Sequence, residues 1–134
     1  MGARDEQYLT WRFIDSPFGT HSFCTLVSIV DQRLIGYAAC EFVQHAVKVS
    51  DFLVDSNVPG ASACLWRELA RSAFRMGYAS LNAEFMGCEL VQRELKDAGM
   101  AARDRSPLYA AVTDESLPLL QERHWYITRA DLDV

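Results

Sequence analysis

The chain lacks any apolar run approaching the roughly 20 residues that span a bilayer, and it has no cluster of Lys and Arg. The first absence argues against a membrane-spanning helix. The second, with a net charge of −5 from 13 basic and 18 acidic residues, argues against a nucleic-acid or anionic-membrane footprint, which needs clustered cations. The opening residues, Met-Gly-Ala-Arg-Asp-Glu-Gln, lack the hydrophobic stretch of a signal peptide, so a cytoplasmic location is expected. Cysteine is present, but not in a redox or metal pattern. Cys24, Cys40, Cys64 and Cys88 form no CxxC pair and have no His at ligand spacing. Reduced thiols among apolar neighbours are therefore expected, and no metal. There are no repeats, low-complexity runs or linkers.

What the chain does have is enough apolar material for one core. Half of its 134 residues are apolar and 23% are charged, which suits a single domain folding without disulfides. Residues 5–13 read as a short helix or turn closed by Asp15-Ser16-Pro17. Residues 22–30 alternate, with Phe23, Thr25, Val27 and Ile29 on one face and Cys24, Leu26, Ser28 and Val30 on the other, which predicts a strand. After Asp31-Gln32 a second strand is expected over 33–43. After Gln44-His45 a third follows, with Val47, Val49, Asp51 and Leu53 alternating against Lys48, Ser50, Phe52 and Val54. Three strands with short links form an antiparallel meander.

The period then changes. Leu65, Leu69, Ala73 and Met76 recur in steps of three and four over 61–76, with Arg67, Glu68, Arg71 and Arg75 on the other positions, predicting an amphipathic helix stopped by Gly77. A strand over 79–85, a second helix over 89–98 ended by Gly99, a short strand at 100–103 and another at 108–113 complete the expected core. The tail carries a helical turn near 117–122 and an extended piece at 124–128. The strand–helix–strand unit implies a parallel crossover in an otherwise antiparallel sheet. The expected organisation is one α/β domain, with an N-terminal arm (1–21), a core (22–113) and a C-terminal tail (114–134).

This order, with a handful of motifs, resembles the GNAT (acetyl-CoA-dependent N-acyltransferase) fold from its second strand onward. The motifs are Tyr8-Leu9-x-Trp11-Arg12-Phe13 before Pro17; Leu34-Ile35-Gly36-Tyr37; Gly60-x-Ser62-x-x-Leu65-Trp66; Leu95-x-x-x-Gly99-Met100; and Trp125-Tyr126-x-Thr128-x-x-Asp131-x-Asp133. The resemblance covers residues 8–113 and the closing motif, and implies a mixed, mainly antiparallel sheet lacking the usual first strand. Such a chain would leave the first strand here with a bare edge, which calls for a cover by the N-terminal arm, the C-terminal tail or a second copy of the chain, so a homodimer is an expectation. The missing strand also fits a piece of a longer protein.

The resemblance further implies acetyl-CoA or another acyl-CoA as cofactor, and a small-molecule or protein amine as acceptor. The pyrophosphate would lie on backbone amides at the start of the main helix, which carries over to Val54, Asn57, Gly60, Ala61, Ser62 and Ala63. The same residues also read as a Pro59-Gly60 turn capped by Ser62. A base is needed to deprotonate the amine. Asp51 in the third strand, Asp55 just after it and Glu84 at the end of the strand after the long helix are the candidate bases that the fold would bring towards a common cleft. Glu41 joins them if its strand face points that way, and Tyr109 is the available hydroxyl acid. Each also reads as an ordinary surface or core-edge residue. Leu95 stands where the family has its acidic Tyr, and Cys88 where it often has Asn. A GNAT-like domain that binds a ligand or protein partner without catalysis is the alternative. His21, His45 and His124 are scattered and form no nucleophile pair. Asp131 and Asp133 read as a solvated tail. Trp66 falls at a buried helix position, whereas Trp11 and Trp125 flank the body.

Overall fold

The most deeply buried stretch of the chain is the middle of one strand, Tyr37-Ala38-Ala39-Cys40. Neighbouring side chains of a strand point to opposite faces, so burial of all four requires cover on both sides of the sheet. The computed structural model describes residues 4–17, 19–103 and 126–131. The expected strand at 108–113, the turn near 117–122, Tyr109, His124, Trp125 and Asp133 lie outside the described residues.

The strand at the centre is β2 (Leu34–Val43). It pairs antiparallel with β1 (His21–Val27) on one side and β3 (Ala46–Val54) on the other. This is the expected meander. A fourth strand, β4 (Ser80–Ala83), lies parallel to β3 over Ala46–Val49, giving a sheet in the order β1-β2-β3-β4. The helix α2 (Ala61–Arg75) connects β3 to β4. The chain is thus a mixed α/β fold with a mainly antiparallel sheet.

α2 covers one face. Leu65, Trp66, Leu69 and Ala73 pack on Ala38, Cys40, Val47, Val49 and Phe52, and the Trp66 and Phe52 rings meet edge to face at 5.0 Å. Each such side chain is worth about 1.5–3 kcal/mol when taken out of water. Arg67, Glu68, Arg71 and Arg75 are exposed, as their spacing requires. Met76, expected on the buried stripe, is exposed because the helix ends one residue earlier. Gly77 stops it at φ +86, with Tyr78 N–H bonded to the Ala73 carbonyl and Gly77 N–H to that of Phe74. A left-handed residue is what lets the chain double back onto those carbonyls.

The other face is covered by the N-terminal arm. α1 (Glu6–Leu9) is capped by the Asp5 carboxylate, which accepts from the Tyr8 N–H at 2.8 Å, and continues into a wider turn over Thr10–Ile14. This brings Phe13 onto Ala39 beside Ala130, with the rings of His21 and Phe23 at 5.0 and 5.8 Å.

Four expectations are corrected. β1 ends at Val27 rather than 30, because residues 28–33 form a loop closed by Ser28 N–H to the Arg33 carbonyl and Gln32 N–H to that of Ser28. The alternation expected along β3 breaks at Ser50. Ala39 pairs with Asp51 but Cys40 pairs with Val49, so Ser50 is an extra residue, a β-bulge. Val47, Val49 and Phe52 therefore share the α2 face, and Asp51 turns to the opposite one. The strand expected over 79–85 is two strands interrupted at Glu84. β5 (Phe85–Gly87) leaves the main sheet and pairs antiparallel with β6 (Tyr126–Thr128). Finally, 100–103 is not a strand. After α3 (Glu89–Asp97) the chain turns at Gly99, where Met100 N–H returns to the Leu95 carbonyl. Among the described residues no helix is long and apolar enough to cross a membrane.

Candidate ligand cleft

β3 and β4 are paired only as far as Val49 and Ala83. Beyond that point β3 runs on to Val54, whereas the segment after β4 turns away into β5. A cleft of about 250 Å³ opens beside the diverging end of β3. Phe52 and Val54 of β3, residues of the loop to α2, Ser62 and Ala63 of α2, Leu90, Val91, Glu94 and Asp97 of α3, and Tyr126 of β6 line it.

The loop between β3 and α2 is shaped by Asp55. Its Oδ1 accepts from the backbone N–H and the side-chain amide of Asn57, both at 3.0 Å, and its Oδ2 accepts from Arg33 Nη1 at 2.9 Å. These donors, the Asn57 amide first, hold the Asp55 carboxyl below its ordinary value. Gly60 enters α2 at φ +76 without a side-chain cap. Ala61 N–H is bonded to the Val58 carbonyl and Cys64 N–H to that of Gly60. The intervening amides of Ser62 and Ala63 have no partner among the described residues. Ser62 is only 9% exposed, and its hydroxyl also has no partner among them.

The inner end of the cleft is aromatic. Tyr126 lies 5.7 Å from the Phe52 ring and 5.0 Å from that of Phe85, and its hydroxyl donates to the Phe52 carbonyl at 2.6 Å. Burial first, then the Asp51 charge, push the Tyr126 phenol well above its ordinary value. The space between β3 and β5 is thus occupied by a side chain of the C-terminal segment.

Behind Tyr126, on the opposite face of β3, sits a buried polar cluster centred on Asp51. Arg4 Nε lies 3.0 and 3.1 Å from its two oxygens, Tyr37 donates to Oδ2 at 2.7 Å, and Thr128 Oγ1 donates to Oδ1 at 2.7 Å. Arg4 also reaches Asp131 at 2.7 Å, and its guanidinium lies 5.3 Å from the centre of the Tyr126 ring. Asp131 accepts in addition from the Thr128 N–H at 2.9 Å. Burial alone would pull the Arg4 pKa down, but Asp51 and Asp131 outweigh it and leave it raised. Tyr37 is raised as well, by burial and by its bond to Asp51. A fully buried carboxylate with this many donors is a satisfied structural group. Both of its oxygens are engaged by these donors.

The candidate bases are therefore not brought together. Asp55 lines the cleft; Asp51 is enclosed on the far face; Glu84 pairs with Arg129 at 3.0 Å outside it. Glu41 of β2 pairs with His21 of β1, whose Nε2 is 3.2 Å from Ser50 Oγ. Of the expected loop positions, Val54, Gly60, Ser62 and Ala63 line the cleft, whereas Asn57 and Ala61 do not. Sequence reasoning missed Glu94, Asp97 and Tyr126 as lining residues, and Arg4, Tyr37 and Thr128 as partners of Asp51. Asp131, expected in a solvated tail, is docked against Arg4 and Thr128. The cysteines are all free thiols, and among the described residues no group of three or more His, Cys, Asp or Glu could hold a metal.

The arrangement defines a mixed α/β fold with a small cleft at the end of a parallel strand pair. Comparison with protein families, with curated proteins and with solved structures finds no match to the chain.

Proposed function

We propose that the chain is a GNAT-like domain, lacking that fold's first strand, which binds a small ligand in the cleft at the end of β3 and does not itself transfer an acyl group. The observation that carries this reading is Tyr126. Its ring fills the space between β3 and β5, and its hydroxyl holds the Phe52 carbonyl at 2.6 Å. The pantetheine arm of an acyl-CoA lying along β3 would need that place, and its amide N–H groups would compete for that carbonyl. The enclosure of Asp51 and the apolar Leu95, where the family has an acidic Tyr, point the same way, since transfer needs both a base and a leaving-group acid. The test is calorimetry with acetyl-CoA together with thiol release in the presence of a panel of amines. Turnover above the buffer rate would overturn the proposal.

A second reading, an N-acyltransferase using acetyl-CoA or another acyl-CoA, is favoured by the unpartnered amides of Ser62 and Ala63, since such amides at a helix start suit a pyrophosphate. It predicts acetyl-CoA binding that Gly60→Asp abolishes. Either reading leaves β1 with a neighbour on one side only among the described residues. The apolar Phe23 and Val27 on this strand support a homodimer through that edge, which sedimentation of the purified chain tests.

A further inference from the structure

The lining of the cleft carries a charge of one sign. Asp55, Glu94 and Asp97 contribute carboxylates, and no Lys, Arg or His lines the cleft among the described residues. Asp55 is matched by Arg33, but Glu94 and Asp97 have no ion-pair or hydrogen-bond partner among the described residues. Arg4, behind Tyr126, is held by Asp51 and Asp131. The wall between these carboxylates is apolar, formed by Phe52, Val54, Val58, Leu90 and Val91 with the Tyr126 ring. Ser62, a residue only 9% exposed, adds a hydroxyl with no partner among the described residues where the lining reaches α2.

We infer that the cleft takes an organic cation, a small molecule whose ammonium group is attached to an apolar body. The apolar part would lie against Phe52, Val54 and Leu90, and the ammonium would face Glu94 and Asp97 within reach of the Ser62 hydroxyl. The aromatic rings of Phe52 and Tyr126 add a surface that attracts a cation. The same lining repels a pyrophosphate, so the ligand class is opposite in charge to an acyl-CoA. This inference rests on reading the cleft as a binding site, and adds the chemistry of what enters it.

The test uses the full chain, labelled for amide NMR, and three probes with the same phenethyl body: phenethylammonium, 2-phenylethanol and 3-phenylpropionate. The expected result is shifts at Val54–Ala63 and Leu90–Asp97 with phenethylammonium, binding that weakens as salt is raised, and none with the propionate. Glu94→Gln should weaken the ammonium at least about threefold, the scale of a partly exposed charge pair, while leaving the rest of the spectrum unchanged. Equal binding of the neutral alcohol, or no change in Glu94→Gln, would overturn the ligand class while keeping the cleft as a site. No shift at the cleft with any of the three would overturn both. Acetyl-CoA shifting the same residues more tightly than the ammonium would overturn the inference in favour of the acyltransferase reading.

Discussion

Arg4 and Asp51 lie 47 positions apart in sequence, yet their side chains meet at 3.0 Å with almost no exposure of either. The pair ties the N-terminal arm to the centre of the sheet. Taking two charges out of water is costly, and the remaining donors from Tyr37 and Thr128 are what make the arrangement tolerable.

Removing one partner should therefore cost far more than the pair is worth. Arg4→Ala leaves a buried carboxylate without its cation and should lower stability by about 3–5 kcal/mol, read from urea unfolding. Replacing both, as Arg4→Met with Asp51→Leu, should recover much of that loss. An Arg4→Ala variant as stable as the parent would show that the pair is open to solvent.

Gly36 is constrained by space. A Cβ there would come within 2.9 Å of the Leu53 carbonyl oxygen and 3.2 Å of a Val54 methyl on the neighbouring strand. Gly36→Ala should destabilise by about 1–3 kcal/mol, and because the strain falls on β3 next to the cleft, amide shifts should extend to Val54 and Asp55. An unchanged unfolding midpoint would mean the two strands separate freely.

Cys40 should be inert. Burial, and secondarily the neighbouring Cys24, push its thiol up to about 12, so at pH 8 only about one molecule in ten thousand carries the reactive thiolate. Labelling with a disulfide reagent followed by mass mapping should leave Cys40 unmodified until the chain is unfolded. Native-state labelling at rates like those of an open thiol would contradict this packing.

The Asp55 carboxyl is held below its ordinary 3.8 by the Asn57 amide and Arg33. A depressed carboxylate stabilises the fold above its unfolded value, and the contribution is lost as pH falls through the folded one. The β3–α2 loop should therefore keep its native amide shifts at pH 5 and lose them below 3.8. Arg33→Ala should move the Asp55 midpoint upward, measured by carboxyl NMR. A midpoint at or above 3.8 in the parent chain would show that these donors do not hold it.

Much of the fold was legible from local pattern. The meander, α2 and α3 follow from period and from the stops at Gly77 and Gly99, because those signals lie within one element. The bulge at Ser50 was hidden, since nothing in Val49-Ser50-Asp51-Phe52 marks an extra residue. One skipped pairing moved Asp51 from an expected cleft position to the far face. The site was less legible still. Asp55 and Ser62 sit on the loop and helix start that the resemblance singled out, but Glu94, Asp97 and Tyr126 reach the cleft through tertiary packing. Their own stretches read as an amphipathic helix and a closing motif to which no site residue was attached. The partners of Asp51 come from residues 4, 37 and 128, separations over which no periodicity speaks.

Those separations bear on the order in which the molecule assembles. Arg4 and Asp131 are 127 residues apart and in contact at 2.7 Å, and the entropy of closing a loop grows with its length. The hairpins of β1, β2 and β3 close far shorter loops and can form first. The Arg4–Asp51–Thr128 cluster then acts as the last fastening, drawn tight over a sheet already built. In pulse-labelled refolding, amides of β2 should become protected before those of Tyr126–Thr128.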